Sequence, residues 1–159
     1  MSVVVRAAEP ADAPWVDALM AERWGAAVVV SRGSLSRPSE LPGFVALVEG
    51  ERQGLLTYRL EGGECEVVTL DSLAEGIGVG TRLLEAARGA AENAGCRRLW
   101  LVTTNDNLQA LGFYQRRGYR LAALHRDALE VSRRLKPEIS EIGHAGIPLR
   151  DEIELEIVL

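Results

Sequence analysis

Asn107-Leu108-Gln109-Ala110-Leu111-Gly112-Phe113-Tyr114-Gln115-Arg116-Arg117-Gly118-Tyr119 is the most informative run in this chain. At 3.6 residues per turn, Asn107, Ala110 and Tyr114 fall on one helical stripe spanning about 10 Å. The stripe presents an amide, a small residue and a phenol, whereas a stripe facing only a core would be aliphatic throughout. A buried tyrosine whose hydroxyl finds a backbone partner is the plainer alternative. Gly118 closes this helix, and Tyr119 to Leu124 reads as a strand.

Upstream, Arg98 to Thr103 reads as a buried strand, because Leu99-Trp100-Leu101-Val102 is continuously apolar. Before it, Thr81 to Ala94 reads as a helix whose apolar face is Leu83, Leu84, Ala87, Ala90 and Ala91, with Gly95 at its C-cap. Gly76-Ile77-Gly78-Val79-Gly80 precedes that helix. Glycines let the backbone approach a ligand, and first-turn N–H groups lack intrahelical partners. The helix dipole adds a preference for an anion, so phosphate or pyrophosphate is the natural guest. A glycine-rich tight turn is the alternative. Two familiar phosphate loops do not fit: the dinucleotide fingerprint needs glycine where Thr81 stands, and the Walker pattern needs lysine where Gly80 stands.

The N-terminal half reads as strands and one helix. Val3 to Val5 is a short β-branched strand, and Glu9-Pro10-Ala11-Asp12 opens a helix with Trp15, Val16, Leu19 and Met20 at helical spacing. Ser31 to Pro42, with Gly33, Pro38 and Pro42, reads as a loop or broken short helix. Phe44 to Val48, Leu55 to Leu60 and Glu66 to Leu70 are strands joined by short polar turns, hence an antiparallel meander. Downstream, Asp127 to Leu135 is a helix, Gly143 to Pro148 a loop, and Glu152 to Leu159 a final strand. On that strand Ile153, Leu155, Ile157 and Leu159 oppose Glu152, Glu154 and Glu156. The acidic side reads as a solvated face, or as a wall that attracts a cationic amine. The predicted fold class is α/β (mixed α+β): a central mixed sheet with an N-terminal antiparallel meander, a strand-helix-strand crossover and flanking helices.

The 159 residues, 47% hydrophobic and 26% charged, suit one globular domain over residues 1–159. A net charge of −5 argues against nucleic acid as a partner. Cys65, Cys96 and two histidines offer no disulfide scaffold or zinc site, so no metal is expected. No apolar run approaches membrane-spanning length and Met1 to Arg6 shows no secretory pattern, so the cytoplasm is the expected compartment. The apolar face of the last strand could help a homodimer pair.

Taken together, the two motifs resemble the GNAT superfamily of acyl-CoA-dependent N-acetyltransferases. The family's pyrophosphate loop reads Q/R-x-x-G-x-G/A, and Glu75-Gly76-Ile77-Gly78-Val79-Gly80 has its glycine spacing. Its later motif reads N-x-x-A-x-x-x-Y-x-x-x-G-F/Y, matched by Asn107, Ala110, Tyr114, Gly118 and Tyr119. The element order agrees over about Val3 to Leu124. The resemblance implies acetyl-CoA as the acyl donor and a primary amine as the acceptor; a small molecule is the expected partner, with polyamine, amino acid, antibiotic, peptide N-terminus and protein lysine all open. It implies backbone contacts to the pyrophosphate from Gly76, Gly78, Val79, Gly80 and Thr81. Asn107 would hydrogen-bond the cofactor arm, and Leu70 to Leu73, Leu70 and Leu73 included, would pair with the pantetheine after a bulged strand. Tyr114 would protonate the departing thiolate. Glu75 departs from the pattern, and Arg82 is the cation placed to offset it. A CoA-binding regulatory domain with little turnover is the alternative function.

Direct transfer also needs a base for the amine. The resemblance points to an acidic residue on the third meander strand, with Glu64, Glu66 and Asp71 as candidates and Glu66 favoured. Strand alternation puts Glu64 and Glu66 on the face opposite Asp71. His125 ends its strand where a base or substrate contact could sit, although ordinary surface is the simpler reading. Asn105 and Asp106 read as helix-starting caps, and Thr103, Thr104 and Asn105 as a polar strand end that could meet substrate.

Overall fold

The computed structural model describes residues 2–159. In chain order the strands and α-helices are β1 (Val3–Ala7), α1 (Ala13–Trp24), β2 (Val29–Ser31), β3 (Ser34–Ser36), β4 (Gly43–Val48), β5 (Glu51–Glu61), β6 (Glu64–Ser72), α2 (Val79–Asn93), β7 (Arg98–Thr104), α3 (Leu108–Arg116), β8 (Arg120–His125), α4 (Ala128–Leu135) and β9 (Glu152–Val158). This is the mixed α/β class expected, with mostly antiparallel strands and four α-helices. The chain divides into two compact units. One holds residues up to Val29, Arg37–Leu99 and Leu159; the other holds Val30–Ser36 and Trp100–Val158.

In the first unit β1, β4, β5 and β6 lie side by side in that order, all antiparallel. Val16, Leu19 and Met20 of α1 pack with Val29, Val45 and Leu55 on one face. The other face carries α2. Gly54 is needed there because a Cβ would sit 2.5 Å from Val79 Cγ1 and 3.0 Å from Leu83 Cδ1. The buried side chains of α2 are Val79, Leu83, Leu84, Ala87 and Ala91, close to the apolar face read from periodicity. Gly95 then adopts φ +73°. Its amide bonds Glu92 O at 3.0 Å and that of Cys96 bonds Ala91 O at 3.0 Å, the paired closure of a Schellman stop.

The meander contains a bulge that simple alternation cannot foresee. Thr57 opposes Thr69 but Tyr58 opposes Val67, so Val68 is the extra residue. Beyond it the inward set changes parity. Glu66, Thr69 and Asp71, which oppose Arg59, Thr57 and Leu55, therefore share the α1 face of the sheet. The expectation that Glu66 and Asp71 lie on opposite faces is corrected by this single residue.

In the second unit the strand order is β7, β9, β8, with β8 and β9 antiparallel. The segment expected as a loop or broken helix contains the β2–β3 hairpin, turning through Arg32 (φ +50°) and Gly33 (φ +73°), and a short 3-10 turn at Pro38–Glu40. The Arg32 amide donates to Glu152 Oε1 at 3.2 Å. Glu152 is therefore buried, and the acidic side of β9 is not the solvated face expected. Glu154 likewise is engaged, at 3.0 Å from His125 Nε2.

Asn105 and Asp106 do not cap α3. Asn105 Oδ1 accepts from the amides of Arg150 and Asp151, both at 3.0 Å, and its Nδ2 donates to Pro148 O at 2.8 Å. Buried Asp106 accepts from Thr104 Oγ1 at 2.5 Å and from the His144 amide at 3.0 Å. These two side chains tie the loop after α4 back to the end of β7. No described helix is long and apolar enough to cross a membrane.

Candidate functional site

The second unit contributes α3, and its motif decodes as the start, body and stop of one short helix. Asn107 is the N-cap: its Oδ1 accepts from the Ala110 amide at 3.1 Å. The spacing of Asn107 and Ala110 is thus the spacing of a cap to the third helical amide. Only the Nδ2 end remains to donate to a cofactor arm. At the other end Gly118 takes φ +91°. Its amide bonds Gln115 O at 3.0 Å, and that of Tyr119 bonds Tyr114 O at 3.1 Å. Only a residue tolerant of left-handed φ can stand there.

Between cap and stop, Tyr114 is 9% exposed. Its ring meets Phe113 edge-on at 5.3 Å and 84°, and Tyr119 at 5.8 Å and 64°. Arg117 lies 3.5 Å from the centroid of the Phe113 ring, backing this aromatic group with a cation. The phenol is held by ring packing on a helix closed at both ends, which suits a group that must be aimed.

The first unit contributes the end of β6, the glycine loop and the start of α2. Gly76 (φ +77°) and Gly78 (φ +83°) are both left-handed, and Gly78 is the N-cap with no side-chain capping bond. Val79 begins α2, so Gly80 and Thr81 lie inside the first turn rather than in the loop. Arg82 is the first residue whose amide closes onto the helix, reaching Gly78 O at 3.0 Å. Helix geometry gives no i−4 acceptor to the amides before it, and the positive end of the dipole lies at the same place. Backbone so arranged is suited to an anion. Glu75 beside it is exposed. Arg82, expected to offset Glu75, instead donates to Val3 O at 3.1 Å.

Leu70 lies on β6 opposite Leu56. The amide of Leu73, expected to face a pantetheine, donates to Gln53 O at 2.8 Å and is not available for that contact. The expected bulge in this strand is present, two residues before Leu70.

The three candidate bases differ in what holds them. Glu64 is bridged by Arg97 Nη2 at 2.5 Å and Arg98 Nε at 3.0 Å. Glu66, the favoured candidate, is buried and ion-paired to Arg59 Nη1 at 3.0 Å. Asp71 is buried, takes a hydrogen bond from the Trp24 side chain, and its Oδ2 has no hydrogen-bond partner among the described residues. Burial pushes its carboxyl above the usual carboxylate range, against the opposing pull of Arg23. Alternation put Asp71 on the face opposite Glu66 because it carries no sign of where along the strand the bulge falls. Cys65, also buried, has its thiol pushed up to about 12 by desolvation, so it is not a nucleophile.

Comparison with known proteins agrees with this architecture. The family model described as the Acetyltransferase (GNAT) family matches residues 6–119. The uncharacterized protein YdhI of Bacillus subtilis is 46% identical over 134 residues, covering 84% of each chain. An IAA acetyltransferase from Bacillus cereus superposes with TM-score 0.76 at 24% identity, over 99% of this chain and 100% of that one. A Bacillus subtilis acetyltransferase solved in complex with CoA superposes with TM-score 0.72 at 18% identity, over 99% of each chain. A bulged meander strand, a glycine cradle at a helix N-terminus and a capped helix presenting a tyrosine are joined here to a family match over most of the sequence, and the chain belongs to the acetyltransferase (GNAT) family.

Proposed function

We propose that this protein transfers the acetyl group of acetyl-CoA to a primary amine by direct attack. The observation that carries the reading is the left-handed Gly76–Gly78 turn set at the N-terminus of α2, a backbone cradle suited to a pyrophosphate. The CoA bound by the Bacillus subtilis structural relative supports the same donor. Glu75 works against affinity at this cradle, by an amount limited by its exposure.

In this reading the amine nitrogen attacks the thioester carbonyl, an N–C bond forms and the C–S bond breaks. Tyr114 supplies the proton that the departing thiolate needs. Asp71 accepts the proton lost by the amine. Its unpartnered Oδ2 and raised pKa support it over Glu66, whose carboxylate is held by Arg59. Asn107 Nδ2 is the donor left for the cofactor arm.

The test is calorimetric titration with acetyl-CoA, using NADH and ATP as controls, followed by an amine screen with the Tyr114→Phe variant in parallel. Selective acetyl-CoA binding is expected. The variant should keep that binding and lose about 10²–10⁴-fold in turnover, the usual contribution of a general acid. Absence of any CoA binding would overturn the donor assignment, and full activity in Tyr114→Phe would overturn the acid.

A further inference from the structure

The first unit holds a second polar cluster, at the start of α1, that the transfer chemistry does not use. Buried Asp12 accepts from Arg6 Nη1 at 2.8 Å and Nη2 at 2.9 Å, from Arg52 Nε at 2.9 Å, and from the Glu9 amide at 2.7 Å. Arg6, Trp15, Leu47, Gly50, Glu51 and Arg52 line an open depression of about 500 Å³ beside it. None of the glycine-loop residues, Asp71, Asn107 or Tyr114 is among them.

The charges in this depression are unevenly committed. Asp12 engages Arg6 fork to fork, which occupies the two-pronged edge of that guanidinium, and its Nη1 also donates to Ala7 O at 3.1 Å. Arg52 is pinned through Nε alone, and its guanidinium carbon lies 5.7 Å from the Trp15 ring centroid. Its Nη1 and Nη2 have no acceptor among the described residues, so a planar two-pronged donor is left for a carboxylate. Glu51 is exposed and makes no ion pair with a described residue. The uncommitted charges are therefore one guanidinium and one carboxylate, beside an apolar wall of Trp15 and Leu47.

A simple anion placed here would meet Glu51, and a simple cation would meet Arg52. A small zwitterion with an apolar body satisfies both and covers the indole. We propose that this depression is a binding site for a free α-amino acid with an aromatic or large apolar side chain. The ligand's carboxylate rests on the Arg52 fork, its ammonium on Glu51, and its side chain against Trp15 and Leu47. Buried Asp12 is the positioning residue, because it fixes the Arg52 fork without consuming it.

The experiment follows the indole N–H resonance of Trp15 in the full chain, assigned by its disappearance in Trp15→Phe. The three probes are L-phenylalanine, N-acetyl-L-phenylalanine (carboxylate only) and L-phenylalaninamide (ammonium only). Phenylalanine should shift the resonance saturably, at least tenfold more tightly than either single-charge analogue. Arg52→Gln should weaken phenylalanine and the N-acetyl analogue at least tenfold. Glu51→Gln, at an exposed position that does not endanger folding, should reduce phenylalanine to the level of the N-acetyl analogue and leave the latter unchanged. No saturable shift, an equal response to all three probes, or binding that both substitutions leave untouched would overturn the proposal.

Discussion

Gly54→Ala tests whether the proposed cofactor cradle owes its position to a seat on the sheet. A Cβ at this position would meet Val79 Cγ1 at 2.5 Å, Leu83 Cδ1 at 3.0 Å and Ala46 Cβ at 3.2 Å. Carbon–carbon contact is comfortable at about 3.5–4.0 Å, so the first turn of α2 must retreat by about 1 Å. Neither neighbour can simply rotate away, since Val79 is β-branched and 1% exposed and Leu83 is fully buried. Overpacking of this kind costs about 1–3 kcal/mol, against which relief of a strand glycine returns about 0.5–1. A 2.5 Å approach to a side chain that cannot turn away belongs in the upper half of that range, so the net loss should be about 1–2.5 kcal/mol, or about 2–10 °C in Tm for a chain of this size. Because Val79 is the first residue of α2, the same retreat moves the backbone beside Gly78, and acetyl-CoA affinity should fall with stability. The assays are urea unfolding and calorimetric titration on the same samples. Val79→Ala in the Gly54→Ala background removes the offending methyl, so the double variant should recover much of the loss instead of adding to it. A Gly54→Ala protein with unchanged stability, or a strictly additive double variant, would refute this account of how α2 is seated.

Two further outcomes concern buried carboxyl groups whose pKa values move in opposite directions. The Arg6 and Arg52 guanidinium groups hold Asp12 well below the usual carboxylate range, so its stabilisation is complete at neutral pH and is lost as pH falls through that range. Asp12→Asn should cost about 2–3 kcal/mol at pH 7, less than a fully buried pair because both arginines are about a third exposed. The gap between variant and parent should narrow in unfolding midpoints measured below about pH 4; a gap independent of pH would show that charge is not the cause. Asp71 has the opposite sign: its folded pKa is raised, so its charged form destabilises the fold at neutral pH and that cost disappears as pH falls to its unfolded value. Asp71→Asn should therefore be more stable than the parent at pH 7 and equal to it near pH 3, while losing about 10²-fold or more in acetyl transfer. An unchanged rate would remove Asp71 from the chemistry.

The backbone features of the candidate site were legible where their signals are local. Gly118 closes α3 as read, and the Gly76–Gly78 turn needs left-handed backbone that glycine adopts freely, whereas the cap at Asn107 was assigned to its neighbours Asn105 and Asp106. The placement of the candidate bases was harder to read. Alternation along β6 separates Glu66 from Asp71, and one inserted residue, Val68, reunites them on the α1 face. The roles of Asn105 and Asp106 were misread for a related reason. Both residue types cap helices, and apart from Thr104, which holds the other Asp106 oxygen, the partners that claim them lie 38 or more residues downstream at His144, Pro148, Arg150 and Asp151.

The order of strands and helices, the apolar face of α2 and the two helix stops follow from periodicity and glycine placement, which depend on neighbours a few residues apart. Tertiary structure alone settled which charged side chains are spent and which are left to act. Arg59 takes Glu66, Arg32 takes Glu152 and the Val3 carbonyl takes Arg82. It also gathered Arg6, Asp12 and Arg52 into one cluster. Each of these pairings joins positions separated by the folding of the backbone. A charge buried in such a place must be matched by whatever group the fold brings to it, and no local pattern records which group that is.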